Sequence, residues 1–229
     1  MSSVPPSGAR SGEPEPTGTS SGPRVQGPGS GKTEPSLAES VQARGSDLLE
    51  ALERHRPGSR EHADGTASYA FAAAVELDLG RTRAEAVRET ARLHEVGKIY
   101  VPAGVLARPR GELGPGDRAL LDSHPAYGAQ LAHGAGVPEE ACEWILATRA
   151  SFDGSGPTRM AGEDIPLESR IIRVACACEE SLALAGAGSA AELQRRAIDR
   201  LRDAAARELD PRVVDALATV LDRAASARA

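Results

Sequence analysis

His94 and Glu95 stand side by side in the stretch Leu93 to Lys98, with Gly97 and then a lysine immediately behind them. Two adjacent ligand-type side chains at a helix terminus, followed by a cation, suit a metal ion and a phosphate. The simpler reading makes the doublet the last turn of a surface helix, with Gly97 as its C-cap. Lys98 is the only lysine beyond Lys32, although arginine outnumbers lysine throughout the chain. The five histidines can be weighed one by one. His62 and His94 each fall on the inward face of an expected helix. His124 precedes Pro125 at a loop-to-helix junction, where capping is the alternative role. His55 and His133 lie in polar or glycine-rich surroundings and read as surface residues. Cys176 and Cys178 cannot chelate one ion together, because two residues apart on a helix they point about 200° apart. Cys142 and Cys178 read as small buried hydrophobes.

The elements that would hold these residues are helical. From Arg60 to Leu79, the residues His62, Thr66, Tyr69, Ala73 and Leu77 share one face at helical spacing, and Ala84, Val87, Ala91 and His94 do so in the next segment. Pro138 followed by two glutamates marks a helix start with Trp144 and Ile145 inward. Ser189 and Glu192 form a capping box. Asp210-Pro211 is an N-cap and first-turn proline ahead of a stripe of Val213, Val214, Leu217, Val220 and Leu221. No alternating strand pattern occurs, and the glycine-rich piece from Arg149 to Asp164 is the longest loop. The expected fold is all-α. Residues 1–36, rich in Pro, Gly, Ser and Thr, are expected to form a disordered tail ahead of a helical domain over 37–229. The Gly-Ser-Gly-Lys-Thr within that tail is not a phosphate loop: position 26 is Gln26, and no strand precedes it.

Composition sets outer limits. The chain has 229 residues, a formal charge of −6 and 3% aromatics. That length suffices for one cored domain. The acidic balance offers no nucleic-acid surface, and no apolar run reaches the length of a membrane span. Three cysteines without a disulfide framework agree with a cytoplasmic location.

Taken in order, His62, "LHEVGKIYVPAGVL", "SHPAYGAQL", "FDGSG", "GEDIPLESRIIRVA" and "LDPRVVDAL" resemble an HD-GYP domain over about residues 58–225. The resemblance implies an HD-superfamily helical bundle that hydrolyses phosphodiester bonds, typically of cyclic di-GMP, with two or three divalent metals. In that scheme His62 and His94 are ligands of the first metal, position 95 carries the bridging aspartate, and position 176 carries the closing one. His124 and a histidine pair at 148 and 149 hold the second metal, and Lys98 faces the phosphate. The sequence departs from it at several of these places. Glu95 is one methylene longer than aspartate. Thr148 and Arg149 replace the histidine pair, and a guanidinium cannot bind a cation. Cys176 replaces an aspartate and would ligate softly, with a preference for zinc. Gly156 and Pro157 remain of the GYP triplet without the tyrosine.

The expectation is therefore a degenerate HD-GYP-like signalling domain without cyclic di-GMP phosphodiesterase activity. It would bind a signalling protein or a cyclic dinucleotide, and hold at most one divalent metal weakly through the remnant set His62, His94, Glu95, His124 and Cys176. The alternative is a phosphohydrolase using a single ion on His62, His94, Glu95 and Cys176. A third reading is a purely structural domain. One finer expectation concerns Arg149, which would either pair with Glu95 in place of the second ion or point to solvent.

Overall fold

The computed structural model describes residues 35–227; the tail expectation, up to residue 34, lies outside them. Ten α-helices are described: α1 (Leu37–His55), α2 (Ser59–Glu76), α3 (Arg81–Leu93), α4 (Ala103–Leu106), α5 (Pro115–Asp122), α6 (His124–Gly134), α7 (Glu139–Ala147), α8 (Leu167–Ala183), α9 (Ala190–Ala204) and α10 (Pro211–Ser226). A 3₁₀ turn, Val96–Tyr100, joins α3 to α4. Among the described residues no β-strand forms, and no helix is long and apolar enough to cross a membrane.

Local signals account for many helix ends. Ser36 caps α1 through a box with Glu39, so the ordered part begins at least one residue before the boundary expected from composition. Ser189 and Glu192 form the same box on α9, and Asp210 caps α10 with Pro211 in its first turn. Asp210 also accepts a bond from Arg170 of α8 at 2.6 Å. That buried ion pair ties the start of α10 to α8.

Two buried clusters supply most of the apolar packing. In the larger, α2 presents Ala67, Ala70, Ala73 and Ala74 to α3 and α8, whose Val87, Ala91, Ile171, Val174 and Cys178 meet it together with Leu201 of α9 and Leu217 of α10. Alanine is the best helix former, and its short side chain lets these axes approach closely. The second core joins Val41 and Leu52 of α1, Leu93 and Val96, Ala132 of α6, and Ile145 of α7. His94 and Glu95 therefore leave the end of α3 between two buried apolar residues, Leu93 and Val96, which fix their position.

Gly97 is not a helix C-cap. It lies inside the 3₁₀ turn, and α3 ends at Leu93 with His94 in the cap position. Its role is tertiary. A Cβ at this position would lie 1.8 Å from the carbonyl oxygen of His124 and 2.5 Å from the amide nitrogen of Gly128. Only a residue without a side chain lets α6 pass this close to the turn that carries Glu95 and Lys98.

Candidate functional site

Four side chains from three parts of the fold meet. His62 comes from the first turns of α2, His94 and Glu95 from the end of α3, and Cys176 from the middle of α8. Their ligand atoms all lie within 4.8 Å of one another. His62 Nε2 is 3.8 Å from Glu95 Oε1, His94 Nε2 is 3.9 Å from the same oxygen, and Cys176 Sγ is 3.8 Å from His62 Nε2.

The far nitrogens of the rings determine what the near ones offer. His94 Nδ1 lies 2.6 Å from the Ala91 carbonyl, and His124 Nδ1 lies 2.7 Å from the Leu121 carbonyl. A carbonyl only accepts, so in both rings Nδ1 carries the proton. His62 Nδ1 donates to the Glu179 carboxylate in the same manner. In their neutral forms all three histidines thus present Nε2 as a lone pair. Burial pushes His94 down to about 3 and His124 down to about 4, so both are neutral at ordinary pH. An Nδ1 fixed by an oxygen acceptor is the usual outer support of a metal-ligating histidine.

Burial pushes the Glu95 carboxyl up, yet Lys98, followed by His94 and His62, outweighs it and holds the group well below the usual carboxylate range. Lys98, one turn further along, forms a salt bridge with Oε1, and Arg56 at the end of α1 reaches Oε2 at 3.4 Å. The expected pairing of Arg149 with Glu95 does not form, because these nearer cations already occupy the carboxylate. Arg149 instead reaches Asp122 at 3.5 Å and is mostly buried, so the solvent-facing alternative does not hold either.

His124 opens α6 as its first residue and makes no cap bond; Ser123 is the N-cap. It lines a cavity of about 360 Å³ together with His94, Glu95, Lys98, Arg149 and Cys176. His62 lines a neighbouring hollow of about 530 Å³, and Glu95 and Lys98 belong to both. His94, Glu95, His124 and Cys176 thus line one cavity, and His62 lines the hollow that adjoins it. Thr148 spends its hydroxyl on the Ile145 carbonyl at 2.8 Å. His55, expected at the surface, is half-buried and donates from Nε2 to the Val101 carbonyl at 2.8 Å. Cys178 faces the large core, as its angle from Cys176 requires.

Several residues that shape the site drew no notice in the sequence. Glu179, which orients His62, is three residues beyond Cys176 on α8 and so shares its face; that spacing was the available signal. Arg56, Arg110 and Asp122 carry no motif, and Arg173 sits in the quoted Gly162–Ala175 block without an assigned role; the tertiary fold brings the three arginines to the cavity and sets Asp122 against Arg110 and Arg149.

The sequence profile of the HD domain family matches residues 47–213. The chain belongs to this family. Over 175 residues this HD domain protein is 32% identical to the cyclic di-GMP phosphodiesterase response regulator RpfG of Xanthomonas campestris pv. campestris, a match covering 75% of this chain and 46% of that protein. It is 29% identical over 132 residues to 3'3'-cGAMP-specific phosphodiesterase 2 of Vibrio cholerae, covering 56% of this chain and 25% of the relative. It therefore spans less than half the length of these two relatives. Among solved structures its fold resembles Bd1817, an HDG"Y"P protein of Bdellovibrio bacteriovorus, with a TM-score of 0.61 at 18% identity, covering 81% of this chain and 61% of that one. It also resembles the HD domain of the L. monocytogenes phosphodiesterase PgpH in complex with cyclic-di-AMP, with a TM-score of 0.58 at 18% identity, covering 80% and 96%. The fold likeness and the relatives agree with the HD domain family, in keeping with the resemblance of the ordered sequence blocks.

Proposed function

We propose that this HD domain holds one divalent metal ion through His62, His94, Glu95 and Cys176. The adjoining cavity would bind the phosphates of a cyclic dinucleotide, without the phosphodiester cleavage that its relatives' names state. The observation that carries this reading is the convergence of four ligand atoms within 4.8 Å, one of them, His94 Nε2, buried and without a hydrogen-bond partner in the structure. A buried lone pair beside a carboxylate oxygen is unfavourable unless a cation faces both. The donor set of two imidazoles, a carboxylate and a thiol fits zinc or a similar borderline ion. When bound, such an ion supplies Lewis acidity toward a phosphate oxygen.

The protein's own groups divide the remaining work. Glu179 and the Ala91 carbonyl keep the two imidazoles turned with Nε2 inward. Burial holds the Cys176 thiol well above its ordinary value, so ligation there requires that a proton leave as the ion arrives. Lys98, next to Glu95, is placed to meet a phosphate once its carboxylate partner engages an ion. At the second-metal position of the family scheme, His124 remains while Thr148 and Arg149 offer no ligand, which supports the loss of two-metal hydrolysis. A cyclic dinucleotide is preferred to a protein partner because the cavity is lined by cations beside the candidate ion site.

The test is metal analysis of untagged protein, paired with cyclic di-GMP titration and product chromatography. We expect about one equivalent of metal, lost in His94→Ala, with nucleotide binding and no linear product. Two equivalents of metal, or linear product that disappears in His94→Ala, would overturn the loss of two-metal chemistry. Absence of metal from both proteins would overturn the ion site.

A further inference from the structure

The cavity beyond the candidate ion site holds more positive charge than its carboxylates can balance. Six cationic side chains line it, among them Arg110, Arg149 and Arg173, against only Glu95 and Glu180. Behind the arginines, Asp122 and Glu208 contribute two more carboxylates, and Asp117 pairs with Arg108. One positive charge is still left over.

The distances show where that excess falls. Arg110 takes both oxygens of Asp122, at 2.8 and 2.9 Å, which leaves Arg149 a single contact with the same carboxylate at 3.5 Å. Arg173 holds Glu208 at 3.4 Å, with Glu208 half-exposed. The Nε atoms of Arg149 and of Arg173 are both buried and have no acceptor. Burial, and then the charges of Arg173 and Arg110, push the Arg149 guanidinium down from its ordinary value. Buried donors left without acceptors are costly, and two such donors on neighbouring guanidiniums call for the same remedy. A tetrahedral oxyanion supplies it, because its oxygens match the planar N–H fork of arginine.

We propose that Arg149 and Arg173 form an oxyanion subsite for one phosphoryl group of a phosphoester, standing at the second-metal position of the family scheme and working without any metal. This deepens the functional reading above and rests on it for the identity of the larger ligand. Arg110 and Asp122 are positioning residues: their bidentate pair keeps Asp122 from satisfying Arg149.

The test uses the full-length chain in buffer containing a chelator and no phosphate. Pyrophosphate is titrated calorimetrically into wild type, Arg149→Met, Arg149→Lys and Arg173→Met. Wild type should bind pyrophosphate in the presence of chelator, and each methionine variant should weaken binding by about tenfold or more, the loss expected for a charge-assisted bond. Arg149→Lys should fall between, since it keeps the charge and loses the fork. It also carries the test if a methionine variant melts early. Pyrophosphate binding that appears only when a divalent metal is added, or that is equal in wild type and Arg149→Met, overturns the subsite. Cyclic di-GMP is titrated into the same proteins without chelator. If it binds wild type and Arg149→Met equally, the subsite fails and the functional reading stands. If it binds neither while pyrophosphate binding still depends on Arg149, the subsite stands and the functional reading fails.

Discussion

Replacing Gly97 by alanine probes the joint between the Glu95–Lys98 turn and the helix that carries His124. The new Cβ would sit 1.8 Å from the His124 carbonyl oxygen and 2.5 Å from the Gly128 nitrogen. Ordinary contact begins near 3.4 Å, so α6 and the turn must part by roughly 1.6 Å. Both obstructing atoms are backbone, and neither can swing aside as a side-chain end could. Overpacking of this kind costs typically 1–3 kcal/mol and here should reach about 3 kcal/mol. For a domain of this size that corresponds to a melting-temperature drop of roughly 6–12 °C. Thermal melts followed by far-ultraviolet circular dichroism would read it. Gly104→Ala is the control, since a Cβ there meets nothing within 4 Å and the residue lies in α4; its melting temperature should be unchanged or slightly raised. If Gly97→Ala melts within about 2 °C of wild type, the close approach of α6 to the turn is not what requires glycine at this position.

Three further outcomes are expected. The folded-state values of His94 and His124, about 3 and about 4, lie below the ordinary 6.5. Between pH 6.5 and 4 the unfolded chain therefore takes up protons that the folded chain refuses. Stability of the chelated protein is then full above 6.5 and falls with pH by about 1.4 kcal/mol per unit for each histidine. Urea midpoints that do not change between pH 7 and 5 would contradict this, and His124→Gln should reduce the slope. Restoring the family's ligands with Glu95→Asp, Thr148→His and Arg149→His together should raise the metal content from about one equivalent toward two; unchanged content would show that more than these side chains separates the site from a two-metal one. Glu179→Gln keeps an oxygen acceptor for His62 but loses its charge, and should weaken metal affinity by about tenfold or more, measured by competition with a chromophoric chelator.

The parts of this fold that could be read from sequence are those specified locally. The stripes of α3 and α10, the Ser189–Glu192 box and the Asp210-Pro211 start are specified along single segments, and the structure has them. On α2 the buried face is instead Ala63, Thr66, Ala67, Ala70, Ala73 and Ala74, so that of the expected stripe only Thr66 and Ala73 are buried while His62, Tyr69 and Leu77 are half-buried. The Ser36–Glu39 box was equally local and marks the start of α1. Gly97 misled for the opposite reason: glycine after a helix usually reports a C-cap, whereas its neighbours here are His124 and Gly128 from another helix. Arg149 likewise gave no sign of Asp122, because the choice between Asp122 and Glu95 depends on Lys98 and Arg56 having reached Glu95 first. Charge partners across a cavity follow from packing, and no spacing rule encodes them.

Exchanging a second ion for a guanidinium separates two properties that metals usually supply together. A divalent ion neutralises phosphate charge and also acts as a Lewis acid on the groups it touches. A guanidinium retains the charge and adds directional donors but has no Lewis acidity. It also generates no nucleophile from water, which a metal ion can do. Under the function proposed above, a cavity with Arg149 in place of a second ion would therefore retain a phosphoester rather than cleave it. The remaining His62, His94, Glu95 and Cys176 cluster can then be understood as an anchor for the ligand's other phosphate. On this reading the two ends of the cavity cooperate in recognition, one through a removable cation and the other through a covalently attached one.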